Sequence, residues 1–142
     1  MLGVELMSID LGINLSVINI YGPYLNLIHF WDSLFQNPLL DGDSVVIGGD
    51  LNFSPSLSEV WGPSAHPDSL ANFFTWKLVE KHLIDIEPNK LKPTWRNNRG
   101  GEARLEKRID RFLVAEQLVE VLRTIFLFSL RSERGRLTHL AP

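Results

Sequence analysis

The sequence predicts an α+β domain in which helices cover a β-sheet, and three observations lead to this fold class. The chain has 142 residues, of which 44% are hydrophobic, so residues 1–142 fit one domain with a packed core. Two segments place apolar residues three and four positions apart, as helices do, and several short apolar runs resemble strands. The two kinds of element do not alternate strictly, which favours an α+β or layered α/β arrangement.

In the first half of the chain, residues 3–10 and 15–21 predict a hairpin joined by Gly12-Ile13-Asn14. A helix is predicted over residues 24–36, where apolar side chains recur at helical spacing. The continuous apolar run 44–50 predicts a strand buried on both faces. A second amphipathic helix is predicted over residues 66–83. Its apolar stripe contains Leu70, Phe73, Phe74, Leu78 and Val79.

In the second half, two short strands are predicted at residues 83–88 and 93–96, and a longer one at 106–115. Residues 116–125 predict one or two helical turns, and residues 125–130 a last buried strand.

Charge is distributed unevenly along the chain, whose net charge is −3. Residues 1–89 contain eleven acidic and two basic residues, whereas residues 90–142 contain six acidic and twelve basic residues. This polarity fits a phosphate-bearing partner on one side, or two halves that neutralise each other. The absence of cysteine excludes disulfides and thiolate metal sites. No run predicts a membrane span or a signal peptide.

The stretch VVIGGDLNFSPS, residues 45–56, places Asp50 and Asn52 where a buried strand ends. Residues two apart in a strand share a face, so both side chains are predicted to emerge together while Leu51 turns inward. Ligands of layered α/β folds bind at this end of the strands. The alternative interpretation is that both side chains only hydrogen-bond to the following turn.

Four motifs occur in order along the chain: NIYGP at 19–23, IGGDLN at 47–52, TW at 94–95 and RIDRFL at 108–113. Their order and spacing resemble the endonuclease/exonuclease/phosphatase (DNase I-like) superfamily, particularly the endonuclease domain of plant LINE-type non-LTR retrotransposons. The resemblance covers nearly the whole chain. It implies a layered α/β sandwich of the DNase I-like type that is partial, with the N-terminal part of the fold missing.

The resemblance also implies a hydrolase that cleaves nucleic-acid phosphodiesters by an activated water, with Mg²⁺ or Mn²⁺ as cofactor. Asp50 then matches the aspartate that orients or activates water, and Asn52 the asparagine that holds the phosphate; both are candidates for the metal site. Tyr21 matches the tyrosine that steadies phosphate or leaving group. Asp110 matches the partner of the catalytic histidine. The resemblance implies nucleic acid, above all DNA, as the partner, with no membrane and no known protein partner, and an intracellular location such as the nucleus.

Two departures accompany the resemblance. The strands that carry an asparagine and a metal-binding glutamate in the superfamily have no counterpart here, and THLAP at 138–142 stands where the family ends in Ser-Asp-His-x-Pro. Direct alignment places Leu140 at the histidine position, whereas a shift by one residue places His139 there. An inactive retroelement remnant and a phosphatase or phospholipid phosphodiesterase of the same superfamily are therefore alternative interpretations.

The segment 90–111 contains eight basic and three acidic residues. In a DNA-cleaving enzyme, Arg96, Arg99 and Arg104 would contact backbone phosphates, and Trp95 would flank the groove. The alternative is a solvated loop, and loops often carry binding residues.

Overall fold

The computed structural model describes residues 2–125, which form an α+β arrangement as predicted. Helix α1 spans Leu27–Phe35, helix α2 spans Ala71–Glu80, and a third helix includes residues 116–125. The strands are β1 (Leu2–Ser8), β2 (Ile13–Tyr21), β3 (Val45–Asp50), β4 (Val60–Trp61), β5 (Leu83–Asp85), β6 (Trp95–Arg96), β7 (Glu106–Lys107) and β8 (Asp110–Ala115). Within these residues, no helix combines the length and the apolar composition needed to cross a membrane.

The main sheet has five strands in the order β1-β2-β3-β8-β5. Strands β2 and β3 are parallel, while β1–β2, β3–β8 and β5–β8 are antiparallel pairs. A small antiparallel sheet has the order β4-β7-β6. Because β3 lies at the centre of the main sheet, its last residue is flanked by neighbouring strands on both sides.

One face of the main sheet packs against the helices and forms the core. Trp31 from α1 and Phe74 from α2 are fully buried, with ring centroids 5.1 Å apart at an interplanar angle of 82°. Phe53 joins them, 5.0 Å from Phe74. Edge-to-face aromatic packing of this kind adds to the stabilisation from burial alone. The predicted stripe of α2 holds for Leu70 and Phe74, but Val79 is exposed.

The other face of the main sheet is apolar and open to solvent in the described part of the chain. Leu2, Val4, Leu6 and Phe112 are all exposed on it. The strand register places their side chains on the face opposite to Ile18, Ile47 and Leu113, which are buried. Strand β3 is therefore fully buried on one face only, and the prediction that both faces are buried was wrong for the described residues.

Two predicted elements differ from the observed ones. The second helix begins at Ala71 rather than at residue 66, and the segment before it is held by Asp68, whose carboxylate accepts a hydrogen bond from the Ser54 N–H and pairs with Lys107. The strand predicted over residues 106–115 is divided into β7 and β8. At the break, the chain leaves the small sheet and enters the main sheet.

Candidate active site

Three of the predicted site residues lie side by side at one end of the main sheet. The register pairs Tyr21 of β2 with Asp50 of β3, and Asp50 with Asp110 of β8. Paired residues of neighbouring strands project to the same face, so one phenol and two carboxylates form a row on the open face. Tyr21 and Asp110 are exposed and Asp50 is half-buried.

Asp50 and Asp110 form a close cross-strand pair. The Leu51 N–H donates to the Ile109 carbonyl at 2.9 Å, which identifies Asp50 and Asp110 as a non-hydrogen-bonded pair, for which the Cα separation is about 4.5 Å. Two carboxylates are thus held together across the strands. Burial raises the pKa of Asp50, the hydrogen bond from the Asn52 N–H lowers it, and the charge of Asp110 raises it again, so that it lies above its ordinary value of 3.8.

Two glycines allow the strands to approach closely at this end. A Cβ on Gly22 would overlap the Leu51 carbonyl, and the Gly22 N–H donates to the Asp50 carbonyl at 2.7 Å. Gly49 has a φ of +142°, and a Cβ there would overlap the carbonyl oxygen of Ile20. Only glycine fits both conditions at position 49. The IGGDLN and NIYGP motifs therefore fit together through their backbones.

Asn52 reaches the site through a turn, not through strand alternation, because β3 ends at Asp50 and Asn52 has a left-handed φ of 60°. Its N–H donates to Asp50 Oδ1 at 2.7 Å, and its Nδ2 donates to the Gly22 carbonyl. Leu51 and Phe53 on either side are buried and anchor the turn in the core. The alternative interpretation, in which Asp50 only hydrogen-bonds to the following turn, thus holds for its Oδ1. Its Oδ2 has no hydrogen-bond partner within residues 2–125.

Thr94 holds the start of β8, a contact that the sequence analysis did not foresee. Its hydroxyl oxygen accepts hydrogen bonds from the Ile109 N–H at 3.0 Å and from the Asp110 N–H at 3.1 Å. These amides belong to the segment that passes between the two sheets. The threonine of the TW motif therefore fixes the backbone of Asp110, and Trp95 follows it as the first residue of β6, opposite Lys107.

Tyr24 is a further site residue that the sequence analysis missed. Its hydroxyl lies 3.0 Å from that of Tyr21, and the two rings pack edge to face with centroids 6.4 Å apart. The hydrogen bond with Tyr21, with a further contribution from the charge of Asp50, raises the pKa of Tyr24 above its usual 10.0. The Gly-Pro turn after Tyr21 was the available signal, because it returns the chain toward the strand end.

The basic segment 90–111 divides into an internal and an exposed part. Lys107 pairs with Asp68, while Arg108 and Arg111 are buried with acidic partners. Trp95 and the predicted phosphate-contacting residues lie at the surface of the small sheet and its loop: Trp95 is 38% exposed, Arg96 pairs with Glu106 at 3.3 Å, and Arg99 and Arg104 are exposed. Three of the eight bases thus serve the fold.

His139 and the THLAP segment lie outside the described residues, as do residues 126–130 of the predicted strand; its first residue, Ile125, belongs to the third helix. Within residues 2–125, no group of three or more histidine, cysteine, aspartate or glutamate side chains is arranged to hold a metal ion. The side chains of Asp50, Asp110 and Asn52 carry the oxygen atoms at the candidate site that could hold a metal ion together with water and substrate.

Comparison with known proteins yields a structural likeness. No family model matches the chain, and no match was found among the curated proteins. Among solved structures, the endonuclease domain of TRAS1, a telomere-specific non-LTR retrotransposon, superposes with a TM-score of 0.56 and 17% sequence identity. The chain has a DNase I-like fold. The likeness covers 83% of this chain and 58% of the TRAS1 domain, so the chain spans little more than half the length of that domain.

The DNase I-like fold accounts for the layered arrangement predicted from the motifs. Helices cover one face of the five-stranded sheet, and the site row lies at the end of its central strands. The partial coverage agrees with the prediction of a partial fold.

Proposed function

We propose that this chain is a phosphodiesterase domain of the endonuclease type that acts on nucleic acid with the help of a divalent metal ion. The observation that carries the proposal is the row of Tyr21, Asp50 and Asp110 across three neighbouring strands, with Asn52 turned toward the same strand end. Phosphoryl transfer depends on positioning and on charge stabilisation, and such a row supplies both.

Each residue has a role that its surroundings support. Asp50 accepts a proton from the attacking water, since its Oδ2 makes no hydrogen bond within residues 2–125. Tyr21 and Asn52 contact non-bridging phosphate oxygens or the leaving oxygen. Tyr24 is hydrogen-bonded to Tyr21 and orients its hydroxyl. Asp110 is held through Thr94 at a fixed distance from Asp50.

Magnesium or manganese fits the donor set of the site. Mg²⁺ takes oxygen ligands and is commonly bound by one or two carboxylates, several waters and the substrate phosphate. Asp50 and Asn52 would hold it, with Asp110 as the neighbouring carboxylate. When bound, the ion supplies positive charge against the phosphate; the chain's own residues position the phosphate and accept the proton.

Nucleic acid is the proposed substrate because the segment that follows Thr94 carries an aromatic ring and exposed cations. Trp95 follows Thr94, which bonds to the Asp110 amide, and Arg99 and Arg104 are exposed in the next loop. Arginine contacts with phosphates and stacking of bases on an aromatic ring are common means of binding nucleic acid. The TRAS1 endonuclease domain, whose fold this chain resembles, supports the same substrate class.

A plasmid-nicking assay tests the proposal. The purified protein with Mg²⁺ should convert supercoiled plasmid to the open circle, and Asp50→Ala should reduce the rate by about 10²–10⁴-fold, as loss of a general base does. Asp43→Ala is the matched control, since Asp43 is an exposed acid in the turn before β3. Its rate should equal that of the unmodified protein.

Other outcomes identify the alternatives. Absence of nicking that depends on Asp50, in a protein that is folded, contradicts the enzyme proposal and favours the inactive remnant. Asp50-dependent hydrolysis of a phospholipid or an inositol phosphate, without nicking, contradicts the substrate assignment only.

A further inference from the structure

Four charged side chains form a buried network, here called the ion quartet: Glu59, Asp85, Arg108 and Arg111. Glu59, Arg108 and Arg111 are each at most 4% exposed. Arg108 Nη1 lies 2.6 Å from Glu59 Oε1, and Arg108 Nη2 lies 3.2 Å from Asp85 Oδ1. Arg111 pairs with both Glu59 and Asp85. The network is neutral, with two positive and two negative charges.

The ion quartet connects the two segments that carry the site. Glu59 ends the segment 51–59 that contains Asn52, and its backbone carbonyl accepts a hydrogen bond from the Arg108 N–H at 3.1 Å. Arg108 and Arg111 stand on either side of Asp110 in the sequence. Buried Ser54, in the same segment as Asn52, lies 3.5 Å from Arg111 through its hydroxyl.

The orientation of the side chains separates the quartet from the reacting groups. Successive residues of a strand point to opposite faces, so Arg111 projects into the helix-covered face while Asp110 projects onto the open face. Burial alone would lower the pKa of Arg108, but the hydrogen bonds and charges of Glu59 and Asp85 raise it above its ordinary value. The guanidinium of Arg108 is therefore held in its charged form by its two carboxylate partners.

Stability alone gives little reason for this network. Removing charges from water is unfavourable, and a well-packed apolar replacement of a buried ion pair is often equally stable or more stable. Unlike apolar contacts, the quartet provides directional geometry, because each arginine guanidinium pairs with two carboxylates.

We propose that the ion quartet is a positioning device that locks the segment 51–59 to the start of β8 and so holds Asp110 opposite Asp50 and Asn52. Glu59 and Arg111 are positioning residues in this sense, since both are buried and Arg111 projects to the face opposite Asp110. The purpose of the device rests on the proposed function, but the coupling between the two segments can be measured without activity.

The experiment compares the protein with the charge-neutral double variant Glu59→Met plus Arg111→Met, which leaves Arg108 paired with Asp85. Amide hydrogen exchange is followed by NMR at Leu51, which bonds to Ile109, and at Asp110. We expect an unchanged or higher Tm and an increase of at least tenfold in exchange at both amides, with β1 and β2 unaffected. The matched control is Asp41→Met plus Lys81→Met, a surface ion pair of 2.6 Å, which should change neither amide.

Wild-type protection at Leu51 and Asp110 in the folded double variant overturns the proposal. If the double variant does not fold, the variant Arg111→Lys provides the test. Its ammonium keeps the charge but lacks the planar guanidinium geometry that pairs with both Glu59 and Asp85. Faster exchange at both amides in that variant supports the proposal, and unchanged exchange overturns it. If the unmodified protein nicks plasmid, the double variant should have a lower kcat and an unchanged KM. A wild type without nicking contradicts the proposed function while the exchange result still decides the role of the quartet.

Discussion

The substitution Asp50→Asn is expected to make the protein more stable at pH 7 while removing its activity. Asparagine has the shape of aspartate and retains the Oδ1 that accepts a hydrogen bond from the Asn52 N–H at 2.7 Å. The turn at the end of β3 therefore keeps its geometry. What the substitution removes is a half-buried negative charge placed directly opposite Asp110.

The magnitude follows from the cross-strand geometry. Side chains of a directly opposite pair have Cβ atoms about 5 Å apart. Two unit charges at about 5 Å repel by about 0.8 kcal/mol in water, and like charges opposite each other in a sheet are destabilising by roughly 0.2–1 kcal/mol. Because Asp110 is exposed, screening keeps the gain within that range. For a chain of this size it corresponds to an increase in Tm of about 1–4 °C.

The gain should depend on pH in one direction. The pKa of Asp50 is higher in the folded protein than its ordinary value of 3.8. A carboxyl of this kind stabilises the fold fully below the unfolded pKa and loses that contribution as pH rises through the folded pKa. The ionised Asp50 is thus unfavourable at pH 7 but not at pH 3. The advantage of Asp50→Asn should accordingly decrease from pH 7 to pH 3.

Urea denaturation at both pH values, in the presence of EDTA, measures the effect. Asp110→Asn should give a similar gain, and the double variant should gain less than the sum, because either substitution alone removes the repulsion. Asp43→Asn, in an exposed turn, should show no gain. A lower stability of Asp50→Asn at pH 7, or a difference that is the same at both pH values, would refute the reasoning.

Three further predictions concern the core, the backbone and the basic loop. Phe74→Ala should cost about 3–5 kcal/mol of unfolding free energy in urea titration, because Phe74 is fully buried among aromatic rings, whereas Trp76→Ala, at an exposed position of the same helix, should cost far less. Gly49→Ala should lower the unfolding free energy by more than about 1 kcal/mol, because of the φ of +142°; an equal midpoint would contradict the close approach. Arg99→Ala should reduce the slope of log K for DNA binding against log salt by about 1, and Lys81→Ala, which lies in a surface ion pair, should leave the slope unchanged.

Sequence periodicity predicted the elements well where the apolar pattern was strong. Strand β3 was predicted from a continuous apolar run and helix α1 from apolar residues three and four positions apart, and both elements form at these places. Helix α2 shows where pattern is insufficient. It begins at Ala71, five residues after the predicted start, and the Asp68 carboxylate before it contacts Ser54 and Lys107, which are far away in the sequence. No local signal reports such contacts.

The sequence alone determined that Asp50 and Asn52 stand at the end of a strand, because a glycine pair followed by an aspartate and an asparagine is a local feature. Which other side chains lie next to these residues was decided by the tertiary structure. The pairing of Asp50 with Asp110 arises from an antiparallel register between strands sixty residues apart, and the assignment of Arg108 and Arg111 to the buried ion quartet arises from partners on two other segments. Composition gives the number of charged residues but not their ion-pair partners. Only the folded chain determines which charges are paired in the interior and which remain exposed.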